Sequence, residues 1–148
     1  MKPRVVLDTN VWLDWLVFDD PGIGPVREAA ASGRIDIYID AVCEEELAKV
    51  LARGFAKRTL DAKAQAACIA QCRRIARRID APAPAPPGML PACRDADDQK
   101  FLEAALAASA DFLVTKDREL LALGKKRARV PFRILTPMQF LSEQGIVR

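Results

Sequence analysis

The sequence predicts an α/β fold in which a central parallel sheet lies between two layers of helices. Short apolar segments that end at polar or turn residues alternate along the chain with longer segments of helical periodicity. Strands and helices that alternate in this way pair in parallel through right-handed crossovers. The length of 148 residues suits one domain with one core. We therefore expect a single three-layer α/β/α sandwich over residues 1–148.

Four segments have the pattern of buried strands. Each is short and mostly apolar, and polar or turn residues bound it. In a parallel sheet the carboxyl ends of the strands share one edge, and ligands bind beyond that edge. The predicted strands span Arg4 to Leu7, Arg34 to Ile39, Asp111 to Thr115 and Phe132 to Leu135.

Seven further segments have apolar residues at helical spacing. The stretch at 81–93 holds five of the ten prolines, which excludes a helix interior, and we expect a long surface loop there. The predicted helices span Val11 to Val17, Pro25 to Ala31, Ala41 to Ala52, Leu60 to Ile79, Asp98 to Ser109, Arg118 to Leu123 and Pro137 to Gln144.

Composition excludes several classes of protein. No apolar run approaches the ~18 residues that span a bilayer, and no signal-peptide core follows the N-terminus, so we expect a cytoplasmic protein without a membrane segment. The net charge of +3 is too small to indicate a nucleic-acid ligand, and the basic runs at 73–78 and 125–129 are interpreted as solvated helix faces. Four cysteines without histidine or a C-x-x-C pair argue against zinc, and Cys68 and Cys72 are interpreted as buried thiols.

Two carboxylates are predicted at the carboxyl edge of the sheet. Asp8 follows the apolar run that ends at Leu7, and Asp117 follows the strand that ends at Thr115. Taken singly, Asp117 is typical of a helix N-cap and Asp8 of a turn residue. An ionised carboxylate behind a buried strand is nevertheless costly unless something pairs with it.

The helix at 41–52 carries a third candidate acid. Glu46 lies within the apolar stripe that contains Cys43 and Leu47, so it is predicted to point inward. Glu44 and Glu45 are predicted to lean outward as first-turn acids that the helix dipole favours.

The fourth candidate acid begins the helix at 98–109. Asp98 precedes the buried stripe that starts at Phe101, while Lys100 is predicted to face outward. N-capping accounts for Asp97, and Asp95 is compatible with either capping or a place in the site.

Four inward acids at one edge of a parallel sheet would repel one another and so demand a cation. The chain has no histidine, so the ligands would be oxygens, which suits Mg²⁺ or Mn²⁺ and disfavours zinc. Such ions bind phosphate oxygens and lower the pKa of a bound water, which is the chemistry of phosphodiester hydrolysis. Asn10 and Thr115 can orient the acids by hydrogen bonds, although turn capping accounts for Asn10 equally well. The four acids are Asp8, Glu46, Asp98 and Asp117.

Four segments of the chain resemble a PIN domain. They are "VVLDTNVWL" at 5–13, "EELAKVL" at 45–51, "CRDADDQKFLEAALAASADFLVTKDRELL" at 93–121 and "ILTPMQFL" at 134–141. The chain is similar in particular to the VapC-like ribonucleases, the bacterial toxins of type II toxin and antitoxin pairs. The resemblance covers nearly the whole chain, and 93–121 is its most specific part.

The resemblance implies a PIN-like fold and a Mg²⁺- or Mn²⁺-dependent endoribonuclease that cuts single-stranded RNA and leaves 5′-phosphate and 3′-hydroxyl ends. It also implies a homodimer and a cognate antitoxin protein that blocks the site. The family's acidic quartet falls on the four acids above, its supporting positions fall on Asn10 and Thr115, and Asp95 is a further acid. Basic residues near the motifs are candidates for an RNA-binding rim: Arg53, Lys57, Arg58 and Lys116.

Other functions fit less well. A phosphatase of the haloacid dehalogenase type would need a second aspartate where Asn10 stands, and a dinucleotide-binding fold would need glycines in "DTNVWL". The alternative that stays open is a catalytically silent PIN-like module that binds RNA or protein. Trp12 and Trp15 fit an interface or the core, and the core is favoured.

Overall fold

A sheet of five parallel strands forms the centre of the protein. The structure is a computed structural model that describes residues 2–55, 57–80, 89–93, 96–125 and 130–143. The predicted α/β fold with a central parallel sheet is confirmed. The strands are β1 (Arg4–Leu7), β2 (Asp36–Asp40), β3 (Ala76–Ile79), β4 (Phe112–Val114) and β5 (Arg133–Leu135). They lie in the order β3-β2-β1-β4-β5 across the sheet.

The helices are α1 (Thr9–Leu16), α2 (Gly24–Ala31), α3 (Ala41–Arg53), α4 (Ala62–Ile75), α5 (Ala96–Ala107), α6 (Arg118–Lys125) and α7 (Pro137–Glu143). A short 3₁₀ turn at Pro21–Ile23 precedes α2. Helix α3 packs against α4 and α5, and α2 packs against α7. Within the described residues no helix is long and apolar enough to cross a membrane.

The central strand β1 sets the position of the functional edge. Val6 pairs with Tyr38 of β2, and Leu7 pairs with Val114 of β4. The backbone N–H of Asp8 extends the ladder by donating to Val114 O at 2.9 Å. The residues that follow β1 and β4 therefore emerge side by side at the carboxyl edge.

The core forms on both sides of this strand. Trp12 and Trp15 are buried, and their rings stack with 5.8 Å between centroids, so the core interpretation of both tryptophans is confirmed. Cys68 and Cys72 are buried thiols as predicted, and burial raises the pKa of Cys72 to about 12. The predicted loop at 81–93 falls mainly outside the described residues.

One predicted element was wrong. The helix expected from Leu60 to Ile79 ends at Ile75, and the next four residues form the edge strand β3. Arg77 pairs with Tyr38 of β2, with which it has no proximity in sequence. Helical periodicity cannot indicate such a pairing, because the partner strand β2 lies far away along the chain.

The arginines of the basic run at 73–78 are exposed as predicted, but the run spans α4 and β3 and pairs with acids. Glu44, predicted to lean outward, is only 6% exposed and lies 2.6 Å from Arg73 Nη2 and 3.5 Å from Arg78 Nη1. Arg77 Nη2 lies 3.6 Å from Asp36 Oδ1. The arginines therefore join α4 and β3 to α3 and β2.

We expect Arg73→Met to destabilise the protein more than Glu44→Met does. Loss of Arg73 leaves the buried carboxylate of Glu44 with the longer contact to Arg78, whereas loss of Glu44 leaves guanidinium groups that are already half exposed and return to water. Urea unfolding of the two variants measures the difference, and a larger loss in Glu44→Met would contradict it.

Candidate functional site

Asp8 is the most constrained acid at the carboxyl edge. It occupies the N-cap position of α1, yet its side chain makes no capping hydrogen bond. The residue is 5% exposed, and its Oδ2 accepts a hydrogen bond of 2.6 Å from Thr115 Oγ1. Helix capping therefore does not account for this carboxylate, which is turned toward the end of β4.

Thr115 connects Asp8 to Asp117. Its fully buried hydroxyl donates to Asp8 and accepts from the backbone N–H of Asp117 at 2.9 Å. Asp117 Oδ1 in turn accepts from the N–H groups of Glu119 at 2.8 Å and Leu120 at 3.2 Å. Asp117 therefore caps α6, and the Thr115 hydroxyl fixes its position relative to Asp8.

The charges around Asp8 place two further acids near it. Burial is the main cause that raises the pKa of the Asp8 carboxyl above its ordinary value. The hydrogen bonds from Thr115 and the Thr9 backbone lower that pKa in part, whereas the negative charges of Asp117 and Glu46 raise it. Asp117 and Glu46 therefore both lie within electrostatic range of Asp8.

Glu46 lies on α3 and is paired with a lysine. Its Oε1 is 3.3 Å from Lys100 Nζ, and the two side chains are 26% and 18% exposed. The same ammonium lies 4.0 Å from Asp97 Oδ1. The prediction that Lys100 faces outward was wrong, because α5 packs against α3 and turns this residue toward Glu46.

Asp98 lies at the start of α5, half-buried beside α6. It lines a cavity of about 290 Å³ together with Cys93, Glu119 and Leu120. The N–H groups of Glu119 and Leu120 bind Asp117, so Asp98 lies on the side of the site where Asp117 caps its helix.

The remaining predicted residues have varied positions. Asn10 is exposed on α1, and Asp95 lies outside the described residues. Lys116 follows Thr115 but forms an ion pair of 2.5 Å with Asp14, a buried acid of α1. The other three candidates for the RNA rim are exposed at the end of α3 and in the turn that follows: Arg53, Lys57 and Arg58.

Two buried aspartates at this edge were not predicted. Asp40 is 1% exposed and caps α3 by accepting from Cys43 N at 2.8 Å. It follows the apolar run that ends at Ile39, so the signal that identified Asp8 could also have identified it. Asp14 lies between two buried tryptophans, and no pattern in the sequence distinguishes it.

The donor chemistry of the site suits Mg²⁺ or Mn²⁺, because carboxylate oxygens are the ligands that these ions prefer. Among the residues that the structure describes, no group of three or more histidine, cysteine, aspartate or glutamate side chains is close enough to hold a metal ion. The residue types therefore fit such an ion, and the acids would have to draw closer together around it.

Comparison with known proteins agrees with the fold. The chain is similar to PAE2754 from Pyrobaculum aerophilum, at 13% identity and a TM-score of 0.57 over 97% of this chain and 90% of that one. It is also similar to VapBC2 from Rickettsia felis, solved bound to a DNA fragment from their promoter, at 16% identity and a TM-score of 0.56 over 89% of this chain and 96% of that one. At such identities the likeness shows the fold alone.

The family follows from the sequence match. Residues 4–119 match the model of a PIN domain. Among curated proteins no match is found. The matched region covers most of the chain and includes β1, β4 and the acids that follow them, so the chain belongs to the PIN domain family.

Proposed function

We propose that the protein is a metal-dependent endoribonuclease that hydrolyses phosphodiester bonds of single-stranded RNA. The observation that carries this proposal is Asp8, a buried carboxylate that caps no helix and is oriented by Thr115 within range of the charges of Asp117 and Glu46. An acid in this position is unfavourable for stability, which is typical of a catalytic residue. PIN domains are in general nucleases, which supports the same function.

In the proposal the four acids hold a divalent ion, and neighbouring groups fix the positions of two of them. A Mg²⁺ or Mn²⁺ ion, when bound, would polarise the phosphate and lower the pKa of the attacking water. The Thr115 hydroxyl orients the Asp8 carboxylate, and the first turn of α6 holds one oxygen of Asp117. Burial of Asp8 keeps bulk water away from its carboxylate. The residues that would hold the ion are Asp8, Glu46, Asp98 and Asp117.

The biological context belongs to the proposal as well. We propose that the protein is a VapC-like toxin with a cognate antitoxin partner, which the likeness to the VapBC2 complex supports. We also propose that the protein forms a homodimer and is located in the cytoplasm. The exposed side chains of Arg53, Lys57 and Arg58 supply positive charge for the RNA backbone, whereas Lys116 is engaged by Asp14.

A second candidate is a PIN-like module that binds RNA or protein without cutting. It is favoured by the distances among the acids, since no three of the described ones are placed to hold an ion together. The ion pair between Glu46 and Lys100 also favours the silent module, because it engages an acid that would otherwise be available to a metal ion. The two candidates differ in whether the acids support turnover.

Cleavage of a labelled single-stranded RNA by the purified protein tests the proposal, with Mn²⁺, with Mg²⁺ and with chelator. The wild type should cut only with metal, and Asp8→Asn and Asp98→Asn should abolish cutting. Glu45→Gln changes an exposed acid of α3 and should leave the rate unchanged. Cutting that survives both substitutions would come from a contaminant and contradict the proposal, and binding of RNA without cutting would favour the module.

A further inference from the structure

Lys100 is a partly buried lysine whose ammonium lies among carboxylates. Its Nζ is 3.3 Å from Glu46 Oε1 and 4.0 Å from Asp97 Oδ1. Burial is the main cause that raises the pKa of the Cys43 thiol, whereas the Lys100 charge lowers that pKa in part and the Asp8 charge raises it. The charges of Lys100 and Asp8 therefore act on the same buried group.

The Lys100–Glu46 pair, which joins α5 to α3, differs from a neighbouring ion pair within α3. Lys49 and Glu45 of α3 lie 3.2 Å apart, and both side chains are 68% exposed. The Lys100 side chain is only 18% exposed and that of Glu46 is 26% exposed. Lysines ordinarily keep the ammonium in water, and a partly desolvated one persists where anions stabilise it. The acids around Lys100 supply that stabilisation.

We propose that Lys100 is a positioning residue that neutralises Glu46 in the metal-free protein and is displaced from it when a divalent ion binds. The inference rests on the proposed metal-dependent function. Glu46 cannot bind the Lys100 ammonium and a divalent cation at once without strong repulsion between the two cations. The exchange also accounts for the spacing of the acids, because Glu46 is paired with Lys100 of α5 in the metal-free protein and is not grouped with the other acids that the structure describes around an ion. Lys100 therefore competes with the ion and weakens its binding.

Calorimetric titration of metal-free protein with Mn²⁺, without RNA, tests this exchange. Lys100→Met removes the competing charge, so we expect Mn²⁺ to bind about fivefold more tightly or better, the lower limit of typical coupling between sites. Lys49→Met removes the same charge from an exposed pair and should change the affinity by less than about twofold. Lys100→Arg keeps the charge and should bind like the wild type.

Thermal unfolding provides a second readout. Metal-free Lys100→Met should melt below the wild type, because Glu46 loses its counter-ion, and the rise in melting temperature on adding Mn²⁺ should be larger in the variant. Circular dichroism verifies that each variant is folded.

Three results would overturn the inference. They are unchanged or weaker Mn²⁺ binding in folded Lys100→Met, equal tightening in Lys100→Arg, and a folded wild type that binds no Mn²⁺. The first two leave the proposed nuclease intact, whereas the third also removes its metal site, so the two failures can be told apart.

Discussion

Asp8→Asn is expected to abolish RNA cleavage and to stabilise the metal-free protein. Burial and the charges of Asp117 and Glu46 disfavour the ionised Asp8 carboxylate, and asparagine removes that charge while its amide oxygen can still accept from Thr115. We expect a gain of about 1–2 kcal/mol in the free energy of unfolding, typical of one stabilising substitution. Activity should fall more than about 100-fold, since loss of a supporting residue alone typically costs 10- to 100-fold.

The gain in stability should depend on pH. The pKa of Asp8 is raised in the folded state, so the folded protein holds this proton more tightly than the unfolded chain. The penalty from Asp8 is therefore absent below the ordinary pKa of an aspartate and develops as the pH rises from there through the raised value. Melting curves of wild type and Asp8→Asn should accordingly differ at neutral pH and converge in acid.

Glu45→Gln is the control, because it removes an exposed charge from α3. It should change neither the rate of cleavage nor the melting temperature at neutral pH. An Asp8→Asn protein that still cuts RNA, or one that is less stable than the wild type at neutral pH, would contradict the role assigned to this carboxylate.

Thr115→Val is expected to lower both stability and activity. Valine has nearly the shape of threonine but leaves Asp8 Oδ2 without its 2.6 Å hydrogen bond and the Asp117 N–H without its 2.9 Å acceptor. Thr115 is 0% exposed, so water cannot replace the hydroxyl unless the site opens. We expect a loss of about 1–3 kcal/mol in unfolding free energy and about a 10- to 100-fold loss of cleavage.

Thr115→Ser separates the hydroxyl from the methyl group. Serine keeps the donor and acceptor and loses one buried methyl, so we expect a cost of about 1 kcal/mol and activity within a few-fold of the wild type. Urea unfolding and RNA cleavage of both variants test the assignment. A valine variant as active as the serine variant would show that the hydroxyl does not orient Asp8.

These expectations share one physical basis. A buried carboxylate at the end of a central strand reduces stability, and a hydroxyl and a helix N-terminus fix the positions of Asp8 and Asp117. A group that costs stability and is held in one orientation is typical of a functional site. The opposite signs expected for Asp8→Asn and Thr115→Val distinguish the charged group from the group that positions it.

Much of the fold could be predicted because the signals are local. β1 has the predicted bounds, and the strands around it lie within one or two residues of theirs, since each is a short apolar run between polar residues. Asp8 and Asp117 could be assigned to one edge, because both follow strands and parallel strands end together. The strand β3 could not be predicted, because its pairing with β2 outweighs the helical pattern that precedes it.

The sequence by itself determined the α/β architecture, the parallel sheet and the edge at which the acids after β1 and β4 emerge, because these follow from periodicity and chain connectivity. Only the tertiary structure decided which polar groups meet. Glu44 binds the arginines of α4 and β3, and Lys100 turns toward Glu46. Such partners lie on different elements, and helical periodicity indicates which side of a helix is apolar but not which charge the neighbouring element brings to it.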